Sequence, residues 1–296
     1  MSRLTIFILV ILILGNLVGL FMAYKYFRTH RKSLYIQRDL REAKETISDL
    51  VDRVDKLSSH RMVFLHHSVG LAILTEGGLK DSLAEIGVAI RGATYGDEIG
   101  AMTDIRDWLP KFRNDMDRIL GFKSHTDIYY SDGTTNDIVM FKSCFPNSDI
   151  SSEGTGEGDP AGRERSLANY RAVFAGLKQE MAKAPDKMFI YMTAPPLVPD
   201  STTAENAARA KKFNAWIVDE YLPSYTEETG LTNLFVFDLF SLLADENGYL
   251  KADFRKERSG DSHPNAAANR LVAGEFMRQF RPWLQQWESV QGTESS

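Results

Sequence analysis

Ser68 stands in the stretch His66-His67-Ser68-Val69-Gly70, and Asp261 and His263 stand in Gly260-Asp261-Ser262-His263-Pro264. A serine hydroxyl attacks poorly until a base takes its proton, and imidazole is the usual base near neutral pH. A carboxylate close to that imidazole can orient it and stabilise its protonated form. The two segments thus supply nucleophile, base and orienter for acyl transfer, provided the fold brings them to one place. Each residue also has a plainer reading. Ser68 can be a strand-end serine, Asp261 a turn former, and His66 a core or sheet-capping residue. His67, next to Ser68, is a candidate for the pocket wall. Cys144 is a second nucleophile candidate, since thiols serve the same role. Six histidines are scattered at 30, 60, 66, 67, 125 and 263, and no HExxH spacing occurs. Neither a metal nor a cofactor is expected.

The elements that must position these residues follow from hydrophobic pattern. Met62–His66, Val88–Tyr95, Asp137–Lys142, Lys187–Thr193 and Leu234–Leu239 are short apolar runs that read as buried strands. Helical periodicity marks Leu79–Ile86, Ile105–Ile119, Ser166–Lys183, Thr203–Tyr221 and Ala266–Phe280 between and after them. Strand alternating with helix implies a parallel sheet covered on both faces, and ligands bind at the carboxyl ends of such strands. Ser68 follows the first strand. His263 lies on a turn just ahead of the last helix, with Pro264 suited to that helix's first turn. Residues 151–165 are a Gly-rich polar loop.

This layout resembles the SGNH (GDSL-type) hydrolase superfamily over Met62 to Phe280, in the blocks "HHSVG", "DIVMFKSCFPNSD" and "DSHPN" and in "TAPPLV" at Thr193–Val198. The resemblance implies an α/β, flavodoxin-like three-layer sandwich of about five parallel strands. It also implies Ser68 as nucleophile, His263 as base, and an oxyanion hole from the Ser68 N–H, Gly96 and Asn147. Gly100 stands behind Gly96, and Ser143 behind Asn147 as a pocket residue. The chain departs from the family pattern in three places. "HHS" replaces Gly-Asp-Ser, the asparagine block is rewritten, and Asp261 precedes His263 by two residues where the family has three. Asp253 and Glu257 are alternative carboxylates.

Ahead of this domain the chain is of another kind. Leu4–Tyr24 carries no charge and is about the ~20 residues long that a bilayer core requires. It reads as an uncleaved transmembrane anchor in preference to a cleaved signal peptide, since its apolar run is long and no small-x-small cleavage site ends it; with its basic flank it covers residues 1–32. Ile36, Leu40, Ala43, Ile47, Leu50, Val54 and Leu57 then follow alternating spacings of four and three, an a/d seam that reads as a coiled-coil stalk over 33–59. Such a stalk would make the chain a homo-oligomer. The globular domain is expected over 60–287, with a disordered tail at 288–296. Lys25, Arg28, Arg31 and Lys32 after the span favour a cytoplasmic domain by the positive-inside rule, whereas the resemblance and the usual place of acylated polysaccharides favour the extracytoplasmic side. The second is adopted. A net charge of −5 argues against a nucleic-acid partner, and one cysteine excludes an intrachain disulfide. The expected function is a membrane-anchored serine esterase acting on acetyl or another small acyl group of a carbohydrate or small ester. Transfer of that group to a sugar hydroxyl is equally consistent. The alternative is a non-catalytic SGNH-like binding module on a coiled-coil stalk.

Overall fold

A computed structural model describes Lys25, Ile36, Gln37 and residues 39–294. The segment Leu4–Tyr24, expected to span a membrane, lies outside the described residues. Among the described residues no helix is long and apolar enough to cross one. The chain divides into two compact units between Leu50 and Val51. In the first, residues 39–50 are helical, and Ile36, Leu40, Ile47 and Leu50 of the seam are exposed.

The second unit begins with helical residues 51–55, which the sequence assigns to the stalk. The structure corrects that boundary. Lys123 bonds Asp52 at 2.8 Å, Tyr130 donates to Asp55 at 2.6 Å, and Arg91 pairs with the same carboxylate. These residues therefore belong to the globular unit.

The five apolar runs form one sheet: β1 (His60–Leu65), β2 (Val88–Ala93), β5 (Ile138–Lys142), β6 (Met188–Met192) and β7 (Leu234–Phe237). Its order is β2-β1-β5-β6-β7 and every pairing is parallel. Apart from this sheet, β3 (Phe122–Ser124) and β4 (Ile128–Tyr129) form a small antiparallel hairpin that the sequence did not announce.

Side chains alternate across a strand, so each strand feeds two cores. Val63, Leu65, Val139, Phe141, Phe189, Tyr191 and Val236 face one way. They pack on α3 (Ile105–Gly121), α4 (Leu167–Met181) and α5 (Ala204–Trp216), and on a wider helical turn at Ile217–Tyr221 that leads into α6 (Leu222–Thr229). Met62, Phe64, Ile138, Met140, Ile190, Phe235 and Phe237 face the other way. There they meet α1 (Ser68–Thr75), α2 (Leu79–Ala84), α7 (Leu239–Leu243) and α8 (Ala266–Glu294). Burial on both faces leaves the strand ends as the place for polar chemistry.

Helix starts follow local capping. Ser166 and Thr203 accept from the backbone N–H three residues on, and Asn265 does so from Ala268 at the head of α8. Pro264 therefore precedes the cap and is not in the first turn. The structure also corrects the expected disordered tail: α8 runs to Glu294. Trp287 is buried against the His60 ring, and Glu288 bonds His60 at 2.7 Å, so tertiary contacts hold these turns in place.

His66 ends β1 in a slot built by two glycines. A Cβ on Gly70 would lie 2.4 Å from His66 Cβ, and one on Gly92 would lie 2.6 Å from His66 Nε2. Gly70→Ala gains about 1 kcal/mol of helix propensity, but overpacking of a closed slot costs roughly 1–3 kcal/mol. The clash should win, and urea unfolding should show a lower midpoint. A midpoint equal to or above wild type would mean that the slot has room.

Candidate active site

Ser68 is the first residue of α1, directly after β1 and the His66-His67 step. Its backbone N–H has no acceptor inside the helix, as for every first-turn residue. Asp261 and His263 come from the loop ahead of α8, on the same face of the sheet. Gly260 turns into this loop with φ +73°, a left-handed conformation that glycine adopts without strain.

The structure brings the three together. Ser68 Oγ lies 2.8 Å from His263 Nε2, and His263 Nδ1 lies 2.6 Å from Asp261 Oδ1. The carboxylate accepts, so Nδ1 carries the ring proton and Nε2 is left to accept from the Ser68 hydroxyl. The two-residue spacing is accommodated by a tight turn in which the His263 backbone N–H also donates to Asp261 Oδ1, at 2.9 Å. That backbone bond, with the imidazole beside it, holds the Asp261 carboxyl below its ordinary range. Around the loop, the Val198 N–H donates to the buried Ser262 hydroxyl at 3.1 Å, which ties "TAPPLV" to the turn that carries Asp261 and His263. Phe145 sets its edge against the His263 ring with centroids 4.9 Å apart.

Other sequence candidates sit differently. Asn147, assigned to the oxyanion hole by resemblance, has both amide hydrogens engaged, on Asp104 Oδ1 at 2.9 Å and on the Cys144 carbonyl at 3.2 Å. Its oxygen accepts from the Ile105 N–H at 2.9 Å, so the side chain pins the start of α3. It lines a polar cavity of about 160 Å³ with Asp104, Arg106, Arg163, Arg165 and Tyr170. Ser143 is fully buried and accepts from Trp108 Nε1 at 2.8 Å, inside the opposite core. Gly96 is an exposed turn residue past β2 with φ +93° and open space where a Cβ would be. Gly100 is buried, and its carbonyl accepts from His67 Nε2 at 2.9 Å. His67 also stacks on Tyr95, with centroids 3.9 Å apart, and Tyr95 is 65% exposed. Among the described residues no group of three metal-ligating side chains converges.

Cys144, the second nucleophile candidate, lies beside Ser68, with its Sγ 3.7 Å from Ser68 Oγ. Lys142, fully buried, lies behind it at 3.8 Å. Strand alternation could have found this: Met140, Lys142 and Cys144 share a parity, and that parity points toward α1.

His66 is 1% exposed and donates from Nδ1 to the His67 carbonyl at 2.8 Å. Burial lowers its pKa to about 4. The folded state therefore keeps it neutral while the unfolded chain binds a proton below about 6.5. Stability from this group is complete above pH 6.5 and is lost as pH falls toward 4, on the order of 3 kcal/mol at the acid end. Urea unfolding at pH 7 and pH 5 checks this. Wild type should lose more stability over that interval than His66→Gln, and equal losses would remove His66 as the cause.

No protein-family model matches the chain, and no curated protein matches it significantly. Among solved structures, the chain is similar to one named for a platelet activating factor from Streptococcus pneumonia. The two are 13% identical, with 82% of this chain and 95% of that one covered and a TM-score of 0.41. It is also similar to a gut microbial diltiazem-metabolizing enzyme, at 14% identity and a TM-score of 0.41, over 75% of this chain and 46% of that enzyme.

Proposed function

We propose that this chain is a serine ester hydrolase of the SGNH kind. The observation that carries the reading is the unbroken hydrogen-bonded series from Ser68 Oγ through His263 to Asp261, at 2.8 and 2.6 Å. In this reading Ser68 Oγ attacks an ester carbonyl carbon while His263 Nε2 takes the hydroxyl proton. Asp261 stabilises the imidazolium that results. The Ser68 N–H and the Gly96 N–H donate to the oxyanion. Collapse expels the alcohol, which receives its proton from His263. Water then repeats the sequence on the acyl-enzyme and releases the acid; a sugar hydroxyl in the place of water makes the product an ester.

The substrate is proposed as acetyl or another small acyl group on a carbohydrate or related ester. Tyr95, exposed and stacked on His67, the residue before Ser68, offers an aromatic surface on which a sugar or aryl ring can lie. The proposal includes anchoring by Leu4–Tyr24 with the domain on the extracytoplasmic side. It also includes pairing of chains through the seam, supported by the exposure of Leu40, Ile47 and Leu50.

Two experiments test these points. Short-chain aryl esters offered to the full chain should be turned over, and Ser68→Ala and His263→Ala should each lower turnover at least about a thousandfold with the fold retained. Asp261→Asn should cost up to about 10,000-fold by holding the wrong tautomer. A loss under about tenfold there would reduce the site to a Ser-His dyad, and wild-type turnover in either alanine variant would remove that residue from the mechanism. For the seam, Leu40→Glu with Ile47→Glu should convert a sedimenting oligomer to a monomer. An unchanged sedimentation coefficient would exclude pairing by this face.

A further inference from the structure

The side chain in contact with the nucleophile is not the expected asparagine. Hydrogen-bond accounting around Cys144 defines what it offers. Its sulfur is approached by Lys142 Nζ at 3.8 Å. With that donor aimed at the sulfur, the S–H hydrogen has Ser68 Oγ, at 3.7 Å, as its described neighbour. The Ser68 hydroxyl itself donates to His263 Nε2, so Oγ is free to accept. The oxyanion of a tetrahedral intermediate lies two bonds from that Oγ, within the same small region.

We infer that Cys144, backed by Lys142, is the side-chain donor of the oxyanion hole, in the position that family resemblance would give to Asn147. The inference rests on the esterase reading. During acylation the Ser68 proton moves to His263, the carbonyl π pair moves onto oxygen, and the Cys144 S–H turns from Oγ to that oxygen. No electron is gained or lost, and the thiol proton returns when the carbonyl reforms. Lys142 gives the arrangement its catalytic bias. It is fully buried, and its described side-chain partner is this sulfur. A buried ammonium without a counter-charge is costly. Negative charge appearing on the substrate oxygen offsets that cost only in the transition state, which is the condition for accelerating the step. Cys144 thus touches the reacting atoms, and Lys142 acts through it.

The charged and titratable groups facing this pair are His66 and His67 just past β1, Ser68 at the start of α1, His263 and Asp261 on the loop ahead of α8, and Lys142 itself on β5. Burial alone would push the Cys144 thiol up, but Lys142, the Val69 N–H and Ser68 together bring it below its ordinary value. Burial lowers Lys142 as well. Raising the pH therefore removes the donor early on the alkaline side.

The test measures aryl-ester turnover against pH for the full chain. Alongside it, Ser68 is labelled with an alkyl fluorophosphonate and read by mass spectrometry. Cys144→Ala should lose roughly 10- to 100-fold in kcat with little change in KM, less than a strong donor because a thiol donates weakly. Cys144→Ser, whose hydroxyl donates from the same place and does not ionise, should recover most of that loss and lack the alkaline fall of wild type. Lys142→Met should lower kcat at neutral pH and move the fall upward, since the ammonium that favours the thiolate is gone. Thermal melting confirms that each variant is folded. Cys144→Ala matching wild type in kcat and pH profile overturns the role of Cys144 while leaving the esterase intact. A wild type that neither turns over ester nor takes the label at Ser68 overturns the esterase reading, and the inference with it.

Discussion

Asp261 Oδ1 accepts twice from one residue, from the His263 backbone N–H and from His263 Nδ1. That shared acceptor governs the site. The backbone bond fixes where the loop turns, and the ring bond fixes which nitrogen is protonated and which way the imidazole points. With Nδ1 committed, Nε2 can meet only Ser68. A carboxylate three residues back could not close the same small ring of atoms, so the shortened spacing and the tight turn at Gly260 belong together. The loop is then braced from outside: Ser201 donates to the Gly260 carbonyl, Ser259 to Asp200, and Val198 to Ser262. A base held this firmly loses little entropy on reaching its working geometry.

Much of the scaffold was legible because its signals are local. Five apolar runs became five strands, since a parallel sheet covered on both faces has no other way to read. Capping residues Ser166 and Thr203 marked helix starts for the same reason. Ser68, Asp261 and His263 could be singled out because residue type and position past a strand or ahead of a helix are both in the sequence. The misplacements involve partners distant in the chain. Asn147 looks like an available amide until Asp104 and Ile105 arrive from α3 and occupy it. The residues after Trp287 look polar enough to be disordered until His60 and Pro185 supply contacts for Glu288 and Gln291. Lys142, the last residue of an apolar run, has no partner that the sequence names. Only the arrival of α1 over that parity buries it.

The double histidine ahead of Ser68 also has a division of labour that spacing could not assign. Successive residues at a strand end point to opposite sides. His66 goes inward, neutral and enclosed by Gly70 and Gly92. His67 goes to the rim, where Gly100 and Tyr95 hold it. The inner ring sets the spacing between β1, β2 and α1, and the outer one shapes the surface a substrate would meet. Two identical residues thus meet unlike demands, and a change at one carries little information about the other.

His60, at the start of β1, touches Trp287 and Glu288 near the end of α8. The start of β1 and the last turns of α8 therefore meet at one edge of the sheet, and Ser68 stands past the other end of the same strand, about 20 Å away at ~3.3 Å per residue. A pull on the chain ahead of Asp52 meets the Arg91, Lys123 and Tyr130 contacts first and then β1, which is paired on both sides, to β2 from His60 to Leu65 and to β5 from Met62 to Leu65. Those bonds would be loaded in shear, all at once, with no single pair peeled first. The series from Ser68 through His263 to Asp261 lies past the far end of β1, so a load on the strand pairing would reach it last.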